Sequence, residues 1–225
     1  REAVSGSALM KLVIANKAYS SWSLRPWILM RHFAIPFEEE VIALYKPDTA
    51  ARIAGYSGAG RVPVLIDGEA TVWESLAIIE HVAERFPALA IWPRDALAHS
   101  HARSAATEMH AGFTALRSRC PMNIRRAPKA IAIDEAVQRD VDRLVSLWRE
   151  ARSRFGAAGP FLYGAFSAAD AMFAPVVNRL HAYDIAVPQD VRAYMDAVMA
   201  LPAWREWEAA ARVEPWHEPR YDDVA

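Results

Sequence analysis

The stretch GRVPVLIDGEATVWESLAIIEHV, residues 60–82, packs two strand signals and a helix signal into one run. VPVLID and ATVW are short runs rich in β-branched side chains, and Asp67-Gly68-Glu69 between them is a hairpin signal. ESLAIIEHVAERF (74–86) follows with apolar positions 76, 78, 79, 82 and 86, a helical stripe that stops at Pro87. Toward the N-terminus, MKLVIA (10–15) reads as a strand closed by Asn16. SLRPWILMRHFA (23–34) has its large apolar residues at helical spacing, with Ser23 expected as the N-cap. FEEEVIAL (37–44) is a second strand, and the proline- and glycine-punctuated stretch from Lys46 to Gly60 leaves room for at most a short helix. The order β-α-β-(α)-β-β-α predicts a small mixed sheet, because the last two strands form a hairpin and the first two need a crossover.

PALAIWPRDA (87–96) is bracketed by prolines and reads as a linker. Beyond it only helical periods stand out, over 96–119, 134–155, 167–182 and 188–200, with a short helix after Pro202. FSAAD (166–170) has the form of a capping box, Ser167 accepting from the backbone and Asp170 reaching back. The expected fold class is therefore α/β followed by all-α: residues 10–86, a linker at 87–95, and a helical domain over 96–225.

Bulk properties exclude several classes. The 225 residues are 53% hydrophobic and 24% charged, an ordinary globular composition. Twenty-six basic against 27 acidic residues leave a net charge of −1, so no global field recruits nucleic acid or an anionic membrane. No apolar run approaches a membrane span. The opening REAVSGSALMK lacks the apolar core of a signal peptide, and residues 1–9 read as a leftover linker before a native Met10. Cys120 is the only cysteine, which rules out an internal disulfide and any CxxC motif and makes a reducing cytoplasm the expected address. The histidines form no HxxxH pair and there is no Gly-rich phosphate loop, so no metal is expected.

Three separated motifs, YSSWSLR (19–25), residues 60–82 and FLYGAFSAADAMFAPV (161–176), resemble the cytosolic glutathione transferases, over about residues 10 to 210. SSWSLR is close to the zeta-type SSCSWR, with Trp22 in place of the cysteine, and the chain resembles a bacterial-looking, serine-type, zeta- or tau-like member. The resemblance implies a thioredoxin-like N-terminal domain, a helical C-terminal domain, a homodimer, and glutathione as co-substrate. The implied activity is addition of the glutathione thiolate to small hydrophobic electrophiles, a detoxification chemistry.

For glutathione binding, the resemblance implies a cis Val62–Pro63 bond with the Val62 backbone pairing the cysteinyl unit; spacing alone also fits a trans proline on an edge strand. Ser75 at a helix start would hold the γ-glutamyl carboxylate and Glu74 the neighbouring ammonium, though simple capping fits the same residues. Arg61 would reach the glycyl carboxylate. A thiol of ordinary pKa near 8.5 is mostly protonated at neutral pH, and lowering that value by about two units takes roughly 2.7 kcal/mol. A hydroxyl donated to the sulfur does this, and the candidates rank Ser20, then Ser21, then Tyr19. The electrophile pocket is expected between the domains, from Trp22, Met109, His110, Phe113 and Arg117. Arg117, Arg119, Arg125 and Arg126 together hint at an anionic co-substrate. A cysteine is absent from the start of the first helix, which argues against thiol–disulfide exchange. A glutathione-dependent isomerase, peroxidase or dehalogenase, or a non-catalytic binding protein, are the alternatives on this scaffold.

Overall fold

The computed structural model describes residues 9–225, so the expected leftover linker at the N-terminus lies, apart from Leu9, outside the described residues. The chain opens with β1 (Met10–Ala15), α1 (Ser21–His32) and β2 (Phe37–Ile42), and β1 pairs with β2 in parallel, Met10 opposite Phe37 and Ala15 opposite Ile42. After a short α2 (Thr49–Ala54), β3 (Val64–Asp67) runs antiparallel to β1, and β4 (Ala70–Trp73) antiparallel to β3. Gly68 turns the hairpin with φ 58°, a conformation that suits glycine. α3 (Ser75–Arg85) closes the unit, and the sheet order is β2-β1-β3-β4. β1 lies second in that order and buries both faces, which is why MKLVIA is apolar almost throughout. Leu12 and Ile14 join the main core with Leu24, Ile28, Ile78 and Ile79, while Val13 packs with Ile42, Ile53 and Val64 under α2.

The second half contains α4 (Ala96–Ala111), α5 (Thr114–Arg119), α6 (Glu135–Phe155), α7 (Ala168–Ala182), α8 (Gln189–Met199), α9 (Pro202–Val213) and α10 (Pro219–Asp222). Asp95 and Asp134 cap α4 and α6 by accepting from the Ala98 and Val137 N–H groups, each at 2.9 Å. The Ser167–Asp170 capping box forms as expected and starts α7, which is buried along nearly its whole length. α7 packs on both α1 and α4, so it joins the two halves. Trp148 of α6 meets Phe173 and Tyr194 edge-on inside the bundle.

The structure departs from the sequence expectations in three places. The single helix expected over 96–119 is two, broken where Phe113 takes φ 58° and where a side chain at Gly112 would stand 2.8 Å from the Glu108 carbonyl. α1 begins at Ser21, so Ser23 lies inside the helix; its Oγ accepts the Ala15 N–H at 3.1 Å and ties α1 to the end of β1. β2 ends at Ile42, after which the Leu44 N–H donates to the Asn16 side chain instead of a strand. No helix among the described residues is long and apolar enough to cross a membrane.

Candidate functional site

Two adjoining cavities open where the start of α1, the approach to β3 and the helical half meet. The larger, about 450 Å³, is lined by Tyr19, Ser20 and Ser21 and by Arg117, Arg179 and Tyr221 among others. The smaller, about 340 Å³, holds Pro63, Glu74, Ser75 and His110. Trp22, Arg61 and Val62 line both, so the two form one cleft with Trp22 at the waist.

The hydroxyls at the start of α1 differ in their engagements. Tyr19 Oη donates to Asp222 Oδ2 at 2.8 Å and accepts from Arg125 Nη2 and from the Glu218 N–H. Burial, and then that bond to Asp222, hold its pKa above the ordinary tyrosine value. Ser20 is the N-cap residue, and its Oγ donates to Ser23 Oγ at 2.7 Å. The Ser21 hydroxyl lines the cavity and makes no hydrogen bond among the described residues. The backbone N–H groups of the first turn of α1 add the positive end of a helix dipole.

In the smaller cavity the Val62–Pro63 bond is cis, and no hydrogen bond among the described residues engages the Val62 backbone. Glu74 sits at φ 69°, a conformation that is uncommon outside glycine and costs on the order of 1–3 kcal/mol. It delivers the chain into α3 with Ser75 first, and the N–H groups of that first turn face the cleft without helical partners. Ser75 is fully buried, and its Oγ accepts from Arg25 Nη1 at 3.3 Å. Two guanidiniums approach the Trp22 ring, Arg25 at 4.2 Å and Arg117 at 4.5 Å from its centroid. Burial pushes Arg25 well below its ordinary value, and Arg117 and Arg179 push the same way. His110 stands edge-on to Trp22 and is pushed down, by burial first and then by Arg25, which favours the neutral imidazole.

The C-terminal segment crosses back over the first half. Glu214 accepts the Lys17 and Ala18 N–H groups at 2.7 and 3.0 Å, and Trp207 Nε1 donates to the Lys17 carbonyl at 2.9 Å. Asn123 Nδ2 donates to the Tyr221 carbonyl and to Asp222 Oδ1. Tyr221 stacks on Tyr19 with centroids 4.6 Å apart, and its hydroxyl lies 2.8 Å from that of Tyr45.

Of the residues expected to form the electrophile pocket, Trp22 and Arg117 line the larger cavity. His110 lines the smaller one, and Met109 and Phe113 are buried in the helical core. Among the arginines, Arg119 bonds the Ala132 and Ala225 carbonyls, Arg126 the Ala182 and Val224 carbonyls, and Arg125 the tail; only Arg117 faces the cavity. Arg179, Tyr45 and Tyr221 escape sequence reasoning, because each arrives from a segment whose pattern reads as core or loop. Cys120 is buried, and burial pushes its thiol up to about 11. His99 and His101 stand at HxH spacing, yet on α4 they point apart: His99 stacks on Trp92, and His101 bonds Tyr163 at 2.7 Å. Among the described residues no group of three or more His, Cys, Asp or Glu side chains could hold a metal.

Models of the glutathione S-transferase N-terminal and C-terminal domains match residues 19–85 and 134–210. A dichloromethane dehalogenase from Methylorubrum extorquens is 42% identical over 65 residues, 28% of this chain and 23% of the dehalogenase. A probable maleylacetoacetate isomerase from Caenorhabditis elegans is 24% identical over 98 residues, 44% of this chain and 45% of the isomerase. The matched regions thus span less than half the length of either relative. A glutathione transferase homologue from Burkholderia, solved with bound glutathione, shares the fold at TM-score 0.71 and 23% identity, covering 92% of this chain and 100% of that one. With both domain models matched in order along a chain of this fold, the chain belongs to the glutathione S-transferase family.

Proposed function

We propose that the chain is a glutathione transferase that ionises the thiol of reduced glutathione at the start of α1 and joins the whole tripeptide, through its sulfur, to a small hydrophobic electrophile in the larger cavity. The observation that carries this reading is one cleft offering a complementary group for each part of the tripeptide. Ser75 and the first turn of α3 receive the γ-glutamyl carboxylate, and Glu74 receives its ammonium. The unpaired Val62 backbone, beside Pro63, receives the cysteinyl main chain as an added strand would, and Arg61 reaches the glycyl carboxylate.

The sulfur then lies against the hydroxyl cluster. Ser20 is the donor we favour. Reversing its bond with Ser23, so that Ser23 donates, frees the Ser20 proton for the thiolate, and the Ala15 N–H still supports Ser23 from behind. Ser21 is second, with a hydroxyl already free. Tyr19 is third, since the tail occupies its oxygen. Ionisation and proximity supply the rate: the thiol proton goes to solvent, the sulfur bonds to the electrophilic carbon, and the bond that breaks there, to a leaving group or a π bond, takes its electron pair away with the departing anion or the protonated neighbouring atom. Trp22 and Arg117 line the electrophile's side, and His110 stands on the glutathione side. The reading includes a homodimer in the cytoplasm, carrying out detoxification, and needs no metal.

Thermal unfolding with and without reduced glutathione tests the core of this. At about 100 times its dissociation constant the ligand adds roughly 2.7 kcal/mol, an easily read shift. A folded sample that does not shift points to the non-catalytic binding protein instead. The rival chemistries on a bound thiolate are a glutathione-dependent isomerase, peroxidase or dehalogenase. Dehalogenation and isomerisation are named in the two relatives, and turnover of halomethanes or maleylacetone-type substrates in place of aryl halides would favour them.

A further inference from the structure

We propose that the electrophile is itself an anion: a carboxylate on a flat, unsaturated or aromatic body, held by Arg117 and Arg179 at the back of the larger cavity. The inference deepens the transferase reading and rests on it for the identity of the second substrate.

Both guanidiniums are pinned by one end only. Nη1 of Arg117 donates to the Met109, His110 and Gly112 carbonyls, at 3.1 to 3.2 Å, where α4 ends. Its Nε and Nη2, the edge that matches a carboxylate in two parallel hydrogen bonds, have no partner among the described residues. Arg179 is only 5% exposed, and its Nη1 donates to the Arg117 and Cys120 carbonyls at 3.2 and 2.6 Å. That places Arg179 behind the segment carrying Arg117, with Nε buried without a partner and Nη2 also unengaged.

No carboxylate lies within ion-pair distance of Arg117 or Arg179 among the described residues. Glu74, the acid that acts on Arg25, belongs to the smaller cavity. Burial pushes both arginines below their ordinary values, Arg179 to about 10, yet guanidiniums stay charged at neutral pH. Two positive charges, one buried and one half-buried, with open donors and no counter-charge are costly unless an anion completes them. Glutathione does not complete them, because its two carboxylates are assigned to Arg61 and to the start of α3. Aromatic rings contribute to the rest of the wall, Trp22 against Arg117 and Tyr45 and Tyr221 joined through their hydroxyls, alongside apolar Leu44, Ile53 and Met122, which suits a flat body.

The test pairs para-chloro-meta-nitrobenzoate with the corresponding benzamide. In both, the glutathione sulfur bonds to the ring carbon, the C–Cl bond breaks, chloride leaves and the thiol proton goes to solvent. With each rate divided by its uncatalysed counterpart, kcat/KM should favour the benzoate about tenfold or more, the worth of a charge-assisted contact. Arg117→Gln should lower that ratio by a similar factor. Because Arg179→Gln removes support from the α5 end and risks misfolding, the second measurement needs no variant. Calorimetry compares unreactive benzoate and benzamide on the whole chain, with and without glutathione. Benzoate binding at least tenfold tighter supports the anion site; equal binding, or a benzamide preference in turnover, overturns it. Loss of the glutathione-induced thermal shift would sink the transferase reading instead, and benzoate binding without glutathione still reports on the arginine pair.

Discussion

Replacing Asp222 by alanine should release the C-terminal tail from the cleft without unfolding the protein. The Asp222 carboxylate accepts from Tyr19 Oη at 2.8 Å, Asn123 Nδ2 at 3.0 Å and the Glu218 N–H at 3.1 Å. A hydrogen bond to a charged acceptor contributes about 1.5–3 kcal/mol when buried and a neutral one about 0.5–1.5. This side chain is partly solvated, so the lower range applies and the three together come to roughly 2–3 kcal/mol. Stacking of Tyr221 on Tyr19 adds about 0.5–1.5 kcal/mol, which the alanine variant keeps only while the tail stays down. Upstream, Glu214 remains fastened to the Lys17 and Ala18 N–H groups, so opening should stop near Trp216. The assay is native-state hydrogen exchange at the Tyr221, Asp222 and Asp223 amides, which bond within the tail to the Glu218 and Pro219 carbonyls. In Asp222→Ala these should exchange about 30 to 150 times faster, the factor that corresponds to 2–3 kcal/mol, while α7 amides keep their protection. Unchanged tail exchange would show that Asp222 does not hold the tail. Equal acceleration in α7 would show that the tail is no separate unit but part of the global fold.

Ser20→Ala should raise the pKa of enzyme-bound glutathione by about one to two units, read from thiolate absorbance against pH, while leaving its affinity nearly unchanged. If only Ser21→Ala or Tyr19→Phe has this effect, the ranking of donors is wrong. Ser75→Ala removes the proposed contact to the γ-glutamyl carboxylate at the α3 start, and glutathione titration should show about tenfold weaker binding; a change under about twofold would assign Ser75 to capping alone. Asp170→Asn offers one carbonyl where the carboxylate now accepts from the Leu162 N–H, the Ser167 N–H and the Ser167 hydroxyl. Denaturant unfolding should therefore show a loss of about 1–3 kcal/mol. Cys120 sits with its pKa pushed up to about 11 by burial, so the native protein should resist alkylation near neutral pH under conditions that modify the unfolded chain fully.

Signals that act within a few residues are legible in the sequence itself. The alternation and β-branching of residues 64–73, the Asp67-Gly68 turn, and the stripe from Leu76 to Val82 specify a hairpin and a helix through local backbone preference. The Ser167–Asp170 box reads at once because both partners lie in one helical turn. The break at Gly112–Phe113 is not legible, since an isolated glycine inside a helical period is tolerated at a cost of about 1 kcal/mol and does not by itself mark a helix end. Nor is the work of Ser23, because three serines in four positions could each cap the same helix and only the approach of β1 spends one of them.

The lining of the smaller cavity is largely readable, Val62, Pro63, Glu74 and Ser75 being near neighbours in the chain, whereas that of the larger cavity is not. Arg179 reaches the cavity only because α7 is packed against α1, and Tyr221 only because Asn123, Arg125 and Asp222 draw the tail back over Tyr19. The sequence by itself determined the elements, their order, the family and the helix-end chemistry, all of which depend on spacing along the chain. Tertiary structure decided which arginines line the larger cavity, which hydroxyl stays unengaged and what the tail packs against. Those depend on contacts between residues far apart in sequence, which burial and packing select and which no local period encodes.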